Sequence, residues 1–391
     1  MGVSVTITQV GYLPPPYGGV SVHMQRLRGK LERAGIIVLV WLVHTLTGQG
    51  TGVYVLPVRK RPMCWIQWII NGFRRVPGEI VHFHVVGPHS FLIWSLVHRG
   101  RNVVITIHNQ FVLEERGFYQ RLTRLVIRLV GADSRFRVIA VNSRIVSQLM
   151  GLGVPSSQIS LIPAYLALEG QVNTASLPDE VLKFADRHRP LLTVYGIKCH
   201  PLSAGGDLYG FDISLDAFKT IKETYTGAGL IVLSPNNEKN PYFQDLLRKA
   251  QKLGVLDAIL WWTAPIPDAR PLWKCSDVYL RPTSTDGDAI AVREALAMGT
   301  PVVASDVCER PDKTTLFQAG NVEAFTSAII SALTSGRLIK EADERDYFGE
   351  IIRVYSALLP NLTSLLSEGG SGEVGVTTEN IGFQGEVIRA K

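Results

Sequence analysis

Charge is scarce in this chain and cysteine scarcer. Only 19% of the 391 residues are Asp, Glu, Lys or Arg, against 46% hydrophobic. That balance excludes a charge-solvated disordered chain and demands well-filled cores. The four cysteines, Cys64, Cys199, Cys275 and Cys308, lie far apart, with no CxxC pair and no histidine cluster near them. Such spacing excludes a disulfide framework or a zinc site readable from spacing, and suits free thiols in a reducing compartment. No apolar run reaches the roughly 18 residues that a membrane span needs. The apolar run 35–43 is short enough for a buried parallel strand. Residues 1–8 alternate like a strand and lack the basic start and small-residue cleavage site of a secretory signal. The expectation is a cytoplasmic protein, at most peripheral on the cytoplasmic membrane face.

The charge that is present is unevenly divided. Residues 1–185 carry 19 Lys/Arg against 8 Asp/Glu, a surplus of +11, and the remainder carries 21 against 26, a deficit of −5. A basic first half points to an anionic partner there; nucleic acid, an anionic bilayer and a phosphorylated substrate all satisfy charge alone.

A chain this long exceeds one ordinary core and suits two domains. Apolar and amphipathic stretches alternate throughout, as in parallel α/β layers. Strands are expected at 4–9, 36–43, 80–84, 103–108 and 137–141, then at 191–195, 229–233, 258–262, 277–280 and 301–305. Val20, Met24, Leu27, Leu31 and Ala34 step by four and three along one helix face, which Gly35 ends. Residues 168–186 lose strand periodicity. The expected organisation is a first Rossmann-like domain (1–170), a linker (171–190), a second Rossmann-like domain (191–338), a helical segment packing back on the first domain (339–367) and a disordered tail (368–391). Ligands of such sheets sit beyond the carboxyl ends of the strands, so the loops there carry the chemistry.

The most informative run is 277–306, DVYLRPTSTDGDAIAVREALAMGTPVVASD. A strand leads into Asp286-Gly287-Asp288, a helix begins near Ala289, Gly299 stops it, and another strand follows. Unpaired amides at a helix start carry the positive end of the helix dipole and form a phosphate cradle. Gly287 clears space for a ligand, and Asp286 and Glu294 could grip hydroxyls at either end of a nucleotide sugar. On spacing alone, Asp288 as an ordinary helix cap and Glu294 as a solvated residue explain the same letters.

Glu294-Ala-Leu-Ala-Met-Gly-Thr-Pro-Val-Val-Ala-Ser resembles the signature of the retaining GT-B glycosyltransferases of family 4, with Asp286 in place of the first Glu of Glu-x7-Glu. The resemblance implies two Rossmann-like domains facing a cleft. It implies that Asp286 holds the donor sugar, that the amides of Gly287, Asp288, Ala289 and Ile290 hold the diphosphate, and that Glu294 holds the ribose. The run from Pro14 through Tyr17, Gly18 and Gly19 is similar to the family's glycine-rich first loop, where Gly18 and Gly19 admit the diphosphate. His108, ending 104–108, matches a family histidine near the transferred sugar, and the 81–84 run containing His82 and His84 resembles a family strand. The chain departs from the pattern where Ile197 and Tyr209 replace an Arg and a Lys that neutralise the diphosphate; Lys198 and Arg281 are the substitutes, with Arg293 a weaker one.

The resemblance therefore implies a hexosyltransferase. It moves sugar from a nucleotide donor such as a UDP- or GDP-sugar to a glycan or lipid-linked acceptor, in surface polysaccharide or glycolipid synthesis. Substitution is front-face, with no cofactor, no metal and no protein nucleophile. The acceptor is expected on the basic first domain. Arg59, Lys60, Arg61, Trp65, Trp68, Ile69, Ile70, Phe73, Arg74 and Arg75 mix cations and aromatics there, and Arg121, Arg124 and Arg128 lie opposite Leu122, Leu125 and Leu129 on one helix. An anionic membrane suits that surface; a helix packing its leucines inward and solvating its arginines suits it equally. A nucleotide-sugar epimerase and a non-catalytic partner of the same fold are the alternatives. No recognition-helix or aromatic-basic motif supports nucleic acid.

Overall fold

The computed structural model describes residues 5–15, 17–42, 53–55, 79–84, 102–109, 113, 117–131, 133–202, 206–235, 237–338 and 345–362. Among these, the first half forms one parallel sheet. Its strands are β1 (Thr6–Gly11), β2 (Ile37–Leu42), β3 (Val53–Val55), β4 (Ile80–Phe83), β5 (Asn102–Ile107), β6 (Phe136–Ala140) and β7 (Ile159–Leu161). They lie in the order β3-β2-β1-β4-β5-β6-β7. A second parallel sheet holds β8 (Leu191–Tyr195), β9 (Gly229–Leu233), β10 (Ile259–Trp262), β11 (Val278–Arg281), β12 (Val302–Ser305) and β13 (Thr314–Phe317). Its order is β10-β9-β8-β11-β12-β13.

Helices cover the faces: α1 (Gly19–Arg33), α2 (Phe118–Val130), α3 (Ser143–Gly151), α4 (Asp179–Arg187), α5 (Phe211–Thr224), α6 (Pro241–Lys252), α7 (Arg270–Cys275), α8 (Ile290–Ala297), α9 (Val322–Ser335) and α10 (Tyr347–Ser356). In α1, Met24, Leu27 and Leu31 are fully buried, each contributing about 1.5–3 kcal/mol. The helix ends at Ala34, and Gly35 follows with φ of 79°, a left-handed conformation that glycine takes without penalty. The central strand β8 reads as an apolar run interrupted only by Thr193, because both its faces are covered. Leu192 and Val194 share a core with Phe211, Leu215 and Phe218 of α5, whereas Leu191 packs with Trp273 of α7 and with α4.

Several expectations change. The segment expected to link the two sheets contains α4, whose Val181, Phe184 and Ala185 belong to the second core; its charged surface had concealed a helical stripe. The strands β3, β7 and β13 had no counterpart in the sequence reading. On α2 it is Thr123, Val126 and Ile127 that are buried, while Leu125 and Leu129 are 52% and 70% exposed. Leu125 and Leu129 thus face outward, and only Leu122 of the three is half-buried, contrary to an inward-packed leucine stripe. The basic-aromatic run 59–75 and the tail 368–391 lie outside the described residues. Tyr347, Ile351, Val354 and Tyr355 of α10 are part of the first core although they follow the second sheet in sequence.

Each sheet reverses its strand order once beside its first strand: β1 lies between β2 and β4, and β8 between β9 and β11. Loops leaving adjacent strands at such points diverge to opposite faces and open a crevice. The two crevices confront each other, and the candidate site is built from the strand ends, loops and helices there.

Candidate active site

A cavity of about 310 Å³ lies between the sheets. From the first half it is lined by Gly18, Gly19, Arg26 and His108, and from the second by Tyr195, Ile197, Tyr209, Arg281, Trp273, residues 286–291 and Glu294. The expected donor residues are therefore brought together, with one exception. Lys198 is exposed and lines a neighbouring depression with Pro15, Asn237 and Asn240.

Two arginines converge on Asp286. Arg281, the last residue of β11, donates from Nε and Nη2 to the two Asp286 carboxylate oxygens at 2.8 and 3.1 Å. Its Nη1 donates to the Tyr195 carbonyl at 3.2 Å, and its guanidinium lies 5.4 Å from the Tyr209 ring centre. Arg281 thus reaches the end of β8 and the tyrosine standing where a lysine was expected. A second cation, Arg310, went unnoticed in the sequence. Its Nη1 donates to Asp286 at 2.9 Å from a side chain only 2% exposed. Burial pushes the Asp286 carboxyl up, but the two guanidiniums outweigh it and hold the group well below the ordinary carboxylate range. One buried carboxylate shared by two guanidiniums leaves a net positive charge beside the helix start.

Asp288 does not cap α8, whose cap position is Ala289 with no side-chain hydrogen bond. One Asp288 oxygen accepts from the Ala164 amide at 2.9 Å, tying the second half to the first, and the other accepts from Arg293 at 2.9 Å. Burial dominates and raises its pKa despite Arg293. Arg293, also hydrogen-bonded to the Tyr347 hydroxyl at 3.2 Å, belongs to this strut and not to the cavity. The amides starting α8 therefore remain without a side-chain cap, as an anion cradle requires.

Glu294 is buried, not solvated. One oxygen accepts from Arg26 Nη2 and the other from Trp273 Nε1 at 3.1 Å. Arg26 and Trp273 were not anticipated; Arg26 sits beside the apolar stripe of α1, and that adjacency was the available signal. Gly287 is glycine for a reason other than ligand access. A Cβ there would lie 2.0 Å from the His108 carbonyl oxygen, so the first half's backbone fills the space. Gly18 caps α1 and faces Ile197, where a Cβ would lie 3.3 Å from its side chain; Gly19 faces open space. His108 is among the cavity-lining residues, but its Nε2 is buried away from hydrogen-bond partners.

Known proteins share this arrangement. Residues 17–165 match the family model described as Glycosyltransferase Family 4, and residues 204–335 match that of Glycosyl transferases group 1. The D-inositol 3-phosphate glycosyltransferase of Segniliparus rotundus is 29% identical over 101 residues, which are 26% of this chain and 22% of that protein. The match thus spans about a fifth of the relative's length. Among solved structures, Anabaena Alr3699/HepE in complex with UDP and glucose superposes with a TM-score of 0.61 at 14% identity, covering 93% of this chain and 98% of that one. WaaG, a glycosyltransferase involved in lipopolysaccharide biosynthesis, gives 0.62 at 16% identity, covering 94% and 100%. The sucrose-phosphate synthase of Thermosynechococcus elongatus gives 0.63 at 14% identity, covering 94% and 97%. At such identities the superpositions speak for the fold alone, two Rossmann-like domains in the GT-B arrangement. With both halves matching their family models and both facing one cavity, the chain belongs to the family 4, group 1 glycosyltransferases and is a glycosyltransferase enzyme.

Proposed function

We propose that the protein transfers a hexose, with retention of configuration, from a nucleoside-diphosphate sugar to a glycan or lipid-linked acceptor at an anionic membrane surface. The observation that carries this reading is the uncapped start of α8 beside the Arg281–Asp286–Arg310 cluster. The amides of residues 287–290 hold the diphosphate, and the two guanidiniums oppose the charge that grows on it as the glycosidic bond breaks. Glu294 accepts the ribose hydroxyls in exchange for part of its contact with Arg26. Asp286 accepts sugar hydroxyls, and His108 faces the sugar. Leaving diphosphate and attacking hydroxyl share one face, so the enzyme supplies proximity and charge and needs neither a nucleophilic side chain nor a metal at the diphosphate.

UDP is the first nucleotide to test, because HepE was solved with UDP and with UDP-glucose. Release of UDP from UDP-glucose in the presence of a lipid-linked acceptor, with the product retaining the donor's anomeric configuration, is the expected result. An inverted product would refute the front-face mechanism.

The membrane assignment rests on α2, where exposed Leu125 and Leu129 stand with exposed Arg121 and Arg128 on the basic half. Exposed apolar and cationic side chains on one helix suit the interface of an anionic bilayer. No helix among the described residues is long and apolar enough to cross one; the attachment proposed is peripheral, on the cytoplasmic face. The protein should co-sediment with phosphatidylserine vesicles at low salt, and Leu125→Ser/Leu129→Ser should abolish this. Wild-type protein left in the supernatant would remove the membrane from the account.

A further inference from the structure

We propose that His23, His84 and His108 form a binding site for one divalent transition-metal ion of the zinc class, separate from the diphosphate cradle. These residues come from α1, from the residue after β4 and from the residue after β5, and their available ring nitrogens all lie within 4.8 Å of one another. His23 Nε2, His108 Nε2 and both ring nitrogens of His84 are buried without a hydrogen-bond partner. Buried polar atoms are nearly always satisfied, so several orphans converging on one point imply something between them.

Neighbouring His82 supplies the contrast. Its ring centre lies 4.0 Å from that of His84, yet its nitrogens are satisfied by the Tyr355 hydroxyl at 2.6 Å and Thr106 Oγ1 at 2.8 Å. His82 is an ordinary buried histidine and the other three are not.

His23 is already arranged as a ligand. Its Nδ1 lies 2.9 Å from the Ala164 carbonyl oxygen, which can only accept, so Nδ1 carries the proton and Nε2 presents its lone pair to the cluster. A backbone carbonyl holding the far nitrogen is the usual support for a metal-bound imidazole. Three neutral imidazoles without a carboxylate favour zinc and its neighbours over calcium or magnesium. Zinc holds nitrogen at about 2.0–2.1 Å, which puts tetrahedral ligands roughly 3.4 Å apart, within reach of nitrogens that lie no more than 4.8 Å from one another, with water as fourth ligand.

The ion would pin the start of α1, beside Gly18 and Gly19, to the ends of β4 and β5. His108 also lines the donor cavity, and its carbonyl packs on Gly287, so the pin would set the position of the cleft's rim.

The test uses the full chain stripped by a chelator and titrated with Co²⁺, then Zn²⁺. One equivalent of cobalt should give the visible absorption of a four-coordinate nitrogen site, zinc should bleach it, and zinc should raise the melting temperature. His84→Gln and His23→Gln should each weaken zinc binding by about 100-fold or more, while His200→Gln, exposed in the second half, should not. Absence of both the cobalt band and the zinc-induced melting shift in wild-type protein would overturn the proposal, whether or not the variants fold. Stoichiometric zinc binding that survives His84→Gln would overturn it equally.

Discussion

Glu294 holds two jobs that a pair of substitutions separates. Its side chain and that of Arg26 are 6% and 7% exposed, and its second oxygen accepts from Trp273. Glu294→Gln keeps the shape and removes the charge, leaving Arg26 buried without its anion. Breaking one side of a buried pair costs about 3–5 kcal/mol, whereas replacing both sides with apolar groups of similar size is near neutral or stabilising. Urea unfolding should therefore show Glu294→Gln destabilised by about that amount, and Arg26→Met/Glu294→Leu restored to near wild type. Donor binding should not follow. Hydrogen bonds from ribose hydroxyls to a carboxylate are worth about 1.5–3 kcal/mol, or about 10- to 150-fold in Kd. Calorimetric titration with UDP should find that loss in the single and the double variant alike. A double variant as unstable as the single one would refute the buried-pair argument. Wild-type UDP affinity in the double variant would refute the ribose contact.

Arg281→Gln should lower kcat by about 100- to 1000-fold with a smaller change in KM for the donor, measured as initial rates of UDP release; a kcat close to wild type would return the charge to Lys198. Asp207 offers a pH test away from the cavity. Burial, then the charge of Asp212, raises its pKa to about 6. A raised carboxyl stabilises the fold below its ordinary value near 3.8 and loses that contribution as pH rises through 6. Between pH 5 and 7 the wild type should lose about 1.3 kcal/mol from this group that Asp207→Asn does not lose. Parallel pH-stability curves for the two proteins would contradict this.

Much of the architecture is legible before any coordinates, because central parallel strands are buried on both faces and read as apolar runs. The bounds of β8 and β9 follow from sequence to the residue. The edge strand β13 does not, since its Thr314, Thr315 and Leu316 are half-buried or exposed and carry no such run. The acidic loop and α8 are recognisable from local order, but the partners of the carboxylates are not. Arg26 meets Glu294 across 268 positions, and Arg310 reaches Asp286 from beyond β12. Such pairs are set by how the two halves face each other, which no local pattern encodes. The histidine cluster is of the same kind: residues 23, 84 and 108 share no spacing, and only the order β1-β4-β5 with α1 beside it brings them together.

Diffraction from crystals soaked in UDP-glucose reads the site itself. The diphosphate should rest on the amides of residues 287–290 with Arg281 alongside, the ribose on Glu294 and the glucose between Asp286 and His108. An empty cavity, or a nucleotide bound elsewhere on the molecule, would contradict the donor site on which the rest is built.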